Sequence, residues 1–202
     1  ALSDGVKIID PATASHTEQL TDTFFALRKK TGITREEAAQ QILDPLTYGA
    51  MMVRAGLADG CVAGAAHATS DVLRAALRYI GMREGNRLAS SSFLMMLPNG
   101  RSLTYGDCGM VPDPDAEQLA TIAIATAETH RQLADETPRV AMLSFSTKGS
   151  ADSPSVQKVR EATALVRQMA PDLAVDGELQ FDAAFIPAIG QSKAPDSAVA
   201  GN

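Results

Sequence analysis

The sequence predicts an α/β protein built as two domains, with helices covering both faces of a sheet. Two observations carry this. Short apolar runs of strand length alternate along the chain with segments whose apolar residues recur at helical spacing. Near the middle, the polar, Gly-containing and charged stretch Gly81–Leu88 interrupts that alternation and marks a domain boundary. The first domain is therefore residues 1–85 and the second starts at residue 86.

Taken in order, Val6–Ile9 reads as a short strand stopped by Asp10-Pro11. Ser15-His16-Thr17-Glu18 has the form of a capping box and opens a helix to about Lys30. Thr34-Arg35-Glu36-Glu37 is a second capping box, for a helix to about Leu43. Pro45 starts a helix carrying Met51, Met52 and Val53, ended near Gly56. Gly60–Ala65 reads as a short apolar strand. Thr69 or Ser70 then caps a helix bearing Val72, Leu73, Ala76, Leu77 and Ile80. Beyond the boundary, Ser91–Leu97 and Ser102–Gly106 flank Pro98-Asn99-Gly100-Arg101 as the arms of a hairpin, so the second sheet is expected to be mixed. Asp113-Pro114 opens a helix with Leu119, Ile122, Ala123 and Ala127 on one face. A buried strand follows at Val140. Ser153 as N-cap and Pro154 at the first helical position start a helix to about Met169. Ala174–Asp176 is a further strand and Asp182–Ile189 a short helix, before a polar tail from Gln191 to Asn202.

Composition narrows the function. The 202 residues are 45% apolar, which supports a real core, but only 4% aromatic with no Trp, so Ala, Val, Leu, Ile and Met build it. The net charge of −6, with no basic run, argues against nucleic acid as a partner. No apolar stretch approaches the length of a membrane span, so no membrane partner is expected. The N-terminus shows no secretory signal, and two cysteines make no disulfide framework; both fit a cytoplasmic setting.

The most informative segment is the turn after the Val140 strand. Ser144, Ser146, Thr147, Gly149 and Ser150 place hydroxyls and a glycine where a strand enters a helix, a place that offers backbone N–H groups and a positive dipole end. That chemistry suits a phosphate or another anion, with Lys148 adding charge; the same residues would also serve as a well-capped helix start. A second strand-to-helix turn holds His67, a possible donor, and Arg74 lies about one and a half turns into the helix that follows. Arg28 closes a helix with Lys29 and Lys30; it either complements the helix dipole or, as a bidentate fork, aims at a phosphate. Cys108, in Tyr105-Gly106-Asp107-Cys108-Gly109, is either a reactive thiol or a small buried side chain. The three histidines, His16, His67 and His130, are far apart, and there is no CxxC, HExxH, GxSxG or GxGxxG, so zinc, serine-hydrolase and dinucleotide signatures are lacking.

Several of these segments resemble one family. Ala58 through Thr69 with Val72-Leu73-Arg74-Ala75-Ala76-Leu77, Gly106-Asp107-Cys108 with Val111 through Ala120, and Pro138 through Thr147 are similar to the phosphate acetyltransferases (phosphotransacetylases). Val156 through Thr163, Asp176 through Ala184, and Lys193 through Ser197 with Val199-Ala200-Gly201 continue the likeness in the right order. The resemblance implies a two-domain, three-layer α/β/α fold like that of the isocitrate and isopropylmalate dehydrogenases. It implies reversible acetyl transfer between acetyl phosphate and coenzyme A, giving acetyl-CoA and inorganic phosphate. It implies a homodimer and no cofactor, with coenzyme A as a substrate rather than a resident group. Arg28 and Arg74 would bind the substrate phosphate, Cys108, His67 and Lys193 would lie near the cleft, and the Ser144–Ser150 turn would face it. Ala75 stands where members usually have Pro.

Members of the family extend beyond both ends of this chain and carry an Asp-Leu-Ser-Arg-Gly segment linked to catalysis, followed by an Asp general base. Neither stands among these 202 residues. The first domain, residues 1–85, is thus expected to be incomplete, the second to span 86–195, and 196–202 to begin a return to the first. The piece alone is expected to be inactive, with its catalytic residues C-terminal to it. The rival reading is a noncatalytic acyl-CoA-sensing module of the kind fused to some malic enzymes.

Overall fold

A computed structural model describes residues 5–84 and 88–202, so residues 85–87 of the expected boundary stretch lie outside the described residues. The chain forms two compact units, Ala1–Gly85 and Asn86–Asn202.

The described part of the first unit is helical. Helix α1 (Thr17–Arg28) runs into a 3-10 turn (Lys29–Thr31) that Gly32 ends in the left-handed conformation, φ +84°. Helix α2 (Arg35–Gln41) starts at the capping box expected of Thr34 and Glu37, both halves of which form. Helix α3 (Pro45–Arg54) has Pro45 in its first turn, and the Asp44 carboxylate accepts from the Thr47 N–H at 2.8 Å. Helix α4 (Thr69–Ala75) passes into a π turn (Ala76–Ile80). Leu20 and Phe24 of α1, Ala38 and Ile42 around α2, and Tyr48 and Met51 of α3 close into one core. Tyr79 meets Phe24 edge to face, ring centroids 5.3 Å apart.

Four expectations for this unit are corrected. Ser15 is no cap: His16 takes that position without a side-chain bond. The Asp10-Pro11 turn sets the entry instead, with the Thr17 hydroxyl donating to the Pro11 carbonyl at 2.6 Å. Neither Val6–Ile9 nor Gly60–Ala65 is a strand; both are exposed irregular chain, and Val62 is fully exposed. A strand requires an edge to pair with, and the described residues of this unit supply none. Thr69 starts α4 but does not cap it, since Ala68 takes the cap position without a side-chain bond.

In the second unit, β1 (Ser92–Met96) and β2 (Ser102–Gly106) form the expected antiparallel hairpin, Phe93 opposite Tyr105 and Met96 opposite Ser102. Gly100 supplies the positive φ of its turn. Helix α5 (Ala116–Ala134) begins two residues later than Asp113-Pro114 suggests. Asp115 and Gln118 form its capping box, while Asp113 pairs with Lys158 at 2.8 Å. Strand β3 (Arg139–Leu143) pairs in parallel with β4 (Ala174–Leu179), and helix α6 (Pro154–Met169) is the crossover between them. The expected helix over Asp182–Ile189 is two short ones, α7 (Phe181–Phe185) and α8 (Pro187–Lys193). Pro187 enforces the break, because the residue before a proline favours the extended form that Ile186 adopts.

The core lies between α5, α6 and the parallel pair: Ala120, Ala123, Met142, Val159, Ala162 and Val166. The hairpin and the parallel pair remain separate two-stranded sheets rather than one mixed sheet. A cavity of about 370 Å³ is lined by both β2 and β3 and by residues of α5 and α7. Residues 196–202 pack within this unit. Val199 is buried, and the Gly201 N–H donates to the Ala183 carbonyl at 2.9 Å.

Candidate anion-binding site

The turn between β3 and α6 gathers five of the singled-out residues, Ser144, Ser146, Thr147, Gly149 and Ser150, beside the C-terminal half of β4. Local chemistry explains its shape. The Ser144 N–H extends the parallel ladder by donating to the Leu179 carbonyl at 2.9 Å. The chain then reverses through two left-handed residues, Lys148 at φ +47° and Gly149 at φ +85°. Ser153 caps α6, its hydroxyl accepting from the Val156 N–H, and Pro154 occupies the first helical position as expected.

The N–H groups of this turn are engaged from within. The Thr147 N–H donates to the Ser150 hydroxyl at 3.0 Å and the Ala151 N–H to the Ser146 hydroxyl at 3.1 Å. The Lys148 N–H reaches the Glu178 carbonyl at 3.2 Å. The Gly149 N–H donates to Glu178 Oε1 at 2.8 Å, and the Ser146 hydroxyl donates to the same oxygen at 2.9 Å. Arg160 of α6 grips this carboxylate with a bidentate fork, Nε to Oε2 at 2.9 Å and Nη2 to Oε1 at 3.0 Å. The expectation of open N–H donors is thereby corrected: the turn does hold an anion, and that anion is the buried Glu178 carboxylate. Arg160, the Gly149 N–H and the Ser146 hydroxyl outweigh the burial that opposes its charge and pull its pKa down to about 2. So low a pKa, with both oxygens engaged and 2% exposure, leaves Glu178 no role as a general base.

Asp176 repeats the pattern two residues earlier on the same strand. Burial works against its charge, but Lys148, the Ser197 hydroxyl and the Gly177 N–H together hold its carboxyl below the usual range. Its Oδ1 accepts from Lys148 Nζ and from Arg167 Nη2, the latter at 2.7 Å. Lys193 joins the turn through Gln180. Its ammonium donates to Gln180 Oε1 at 3.0 Å and to Asp182 at 2.9 Å, while the Gln180 N–H donates to the Thr147 hydroxyl at 2.8 Å. Lys193 holds the exposed Asp182 carboxyl below its ordinary pKa. Lys148, Arg167 and Lys193 line an open cavity of about 780 Å³, with Asp176 and Asp196 on the same wall. The turn is thus internally hydrogen-bonded, beside a rim whose three cations are paired with the carboxylates of Asp176 and Asp182.

The other singled-out residues stand elsewhere. Cys108 is half-buried in the second unit, its Sγ 3.4 Å from the Ser91 hydroxyl. In the first unit, Arg74 is half-exposed and paired with Asp71 at 2.7 Å. His67 Nε2 lies 3.8 Å from Asp44 Oδ1, and Arg28 is half-buried at the end of α1. Sequence reasoning gave no role to Asp176, Glu178, Arg160 or Arg167. Their signal was there: two acids at alternate positions of an otherwise apolar strand, and two arginines seven apart on one helix face.

The phosphate acetyltransferase of Acetivibrio thermocellus is 46% identical over 203 residues, which cover 98% of this chain and 61% of that protein. The solved EutD phosphotransacetylase from Staphylococcus aureus superposes with a TM-score of 0.87 at 38% identity, over 98% of this chain and 61% of its own. A phosphotransacetylase from Streptococcus pyogenes gives a TM-score of 0.80 at 46% identity, over 96% of this chain and 59% of its own. The chain thus spans about three-fifths of the length of these relatives. The match to the phosphate acetyl/butaryl transferase family runs over residues 1–202, and the chain belongs to that family.

Proposed function

We propose that the full-length gene product is a phosphate acetyltransferase, moving an acetyl group reversibly between acetyl phosphate and coenzyme A. The observation that carries this reading is the 46% identity to the Acetivibrio thermocellus phosphate acetyltransferase over 98% of the chain. In this reaction the coenzyme A thiolate attacks the acetyl carbonyl carbon, the C–O bond to phosphate breaks, and inorganic phosphate leaves. The transfer is redox-neutral, so it calls for no electron carrier, and coenzyme A enters as substrate.

Within this reading, Arg28 and Arg74 bind the phosphate of acetyl phosphate. The Arg74–Asp71 pair is an exposed i,i+3 contact that is cheap to open, which keeps the guanidinium available. Ser144, Ser146, Thr147, Gly149 and Ser150 form the rigid turn beside the substrate, Lys193 braces it through Gln180, and His67 lies near the cleft. Cys108 stands near the site without forming an acyl intermediate, because coenzyme A already supplies a thiol. A two-domain α/β/α fold of the isocitrate dehydrogenase kind, a homodimer and a cytoplasmic setting complete the proposal.

The test is isotope exchange between labelled inorganic phosphate and acetyl phosphate, using the full-length gene product. Exchange that depends on coenzyme A is expected. No exchange under any condition would overturn the function. Exchange without coenzyme A, with acetyl trapped on Cys108, would overturn the role given to that thiol.

A further inference from the structure

We propose that Glu178 and Arg160 are the positioning pair of this reaction, fixing the Ser144–Ser150 turn in the shape in which it meets the phosphate-bearing substrate. The proposal rests on the acetyltransferase reading. Neither side chain touches substrate; both act through the turn.

Three observations carry it. Glu178 is 2% exposed yet ionised, held by a bidentate arginine, a backbone N–H and a hydroxyl. Burying such a pair contributes little net stability, since apolar residues of the same volume do as well. What the pair does impose is shape: it ties β4 and α6 to the turn. Next, the turn contains a non-glycine residue in the left-handed region, Lys148 at φ +47°, an arrangement that persists only where the surroundings over-determine it. Those surroundings are the acids of β4. The Lys148 N–H binds the Glu178 carbonyl, the Gly149 N–H binds the Glu178 carboxylate, and Lys148 Nζ binds Asp176. Finally, with its N–H groups turned inward on Glu178 and neighbouring hydroxyls, the turn still presents Lys148, Gly149 and Ser150 at the surface. A surface held this firmly costs no reordering when a ligand arrives.

The experiment is steady-state kinetics on the full-length gene product, with the KM for acetyl phosphate and for coenzyme A measured separately. Glu178→Gln keeps the side chain's size, removes its charge and so loosens its hold on Arg160 and the turn. It is expected to raise the KM for acetyl phosphate about tenfold or more, the size of one lost charge-assisted contact, with the KM for coenzyme A within about twofold. Because that variant leaves Arg160 buried without its partner, the double variant Arg160→Met with Glu178→Leu is measured beside it. It removes both charges together, so no buried charge is left unpaired, and in its folded state it is expected still to show the raised KM. Glu178→Asp, which keeps the charge and shortens the reach, is expected to fall between. A wild-type KM for acetyl phosphate in a folded Glu178→Gln or double variant overturns the proposal. So does an equal rise in both KM values, which is the mark of a general structural role. Absence of acetyl transfer by the unaltered enzyme overturns the function itself, a different result from normal turnover with unresponsive variants.

Discussion

Glu178 turns the second unit into an acid-sensitive one. Its carboxyl has an ordinary value near 4.5 in the unfolded chain and about 2 in the fold. A depressed folded value means the stabilisation is complete above about pH 4.5 and is lost as the pH falls through 2. The shift corresponds to about 3 kcal/mol at neutral pH. Asp176, also depressed, acts in the same direction. Urea unfolding followed from pH 7 down to pH 2.5 should show stability falling with acid, and Glu178→Gln should flatten that fall. Parallel curves would mean the carboxylate is not held as described. Arg28 and Arg74 give a second prediction at this scale. Changing either to Ala in the full-length gene product should lower kcat/KM for acetyl phosphate by roughly 10- to 150-fold, the range for one charge-assisted contact. Unaltered kinetics in both would return them to surface charge. What the sequence showed of the site was its hydroxyls and glycine, because strand-to-helix turns have a local signature. The partners of those groups come from β4 and α6, some 10 to 35 residues further on, and local spacing carries no record of them.

At the scale of elements, helices with a local cap were legible. Thr34 with Glu37, Pro45 and Ser153-Pro154 all start helices where their chemistry says they should. Ser15 fails because the preceding Asp10-Pro11 turn already fixes the chain entry, and capping then falls to a residue without a bond to give. β4 runs on past Asp176 to Leu179 because Glu178 is buried with partners, a cost that local hydropathy counts against a strand. The tail was unreadable for a related reason. Its small residues look like a loop, yet Gly190 and Gly201 meet backbone to backbone. A Cβ on Gly190 would lie 2.5 Å from the Gly201 nitrogen and 2.8 Å from the Ala183 carbonyl oxygen. Gly190→Ala should therefore destabilise the second unit by about 1–3 kcal/mol despite the better helix propensity of Ala. A lowered urea midpoint at unchanged slope checks this, and a raised midpoint would show that the tail does not pack there.

At the scale of the whole molecule, the alternation of strand-length and helix-length segments reported an α/β chain, and the second unit bears that out with its parallel pair and crossover helix. Strands are different from helices in that their partners lie elsewhere. Val6–Ile9 and Gly60–Ala65 have strand-like composition, but no edge among the described residues receives them. The hairpin was legible from its turn, while its separation from β3 was not, since local sequence does not fix which edges meet. The proposed function rests on membership of the phosphate acetyl/butaryl transferase family. The most direct measurement is the formation of the acetyl-CoA thioester, followed by its ultraviolet absorbance, when the full-length gene product is mixed with acetyl phosphate and coenzyme A. Turnover that requires both substrates and releases inorganic phosphate in equal amount is the result predicted. No thioester with acetyl, propionyl or butyryl phosphate would contradict the account.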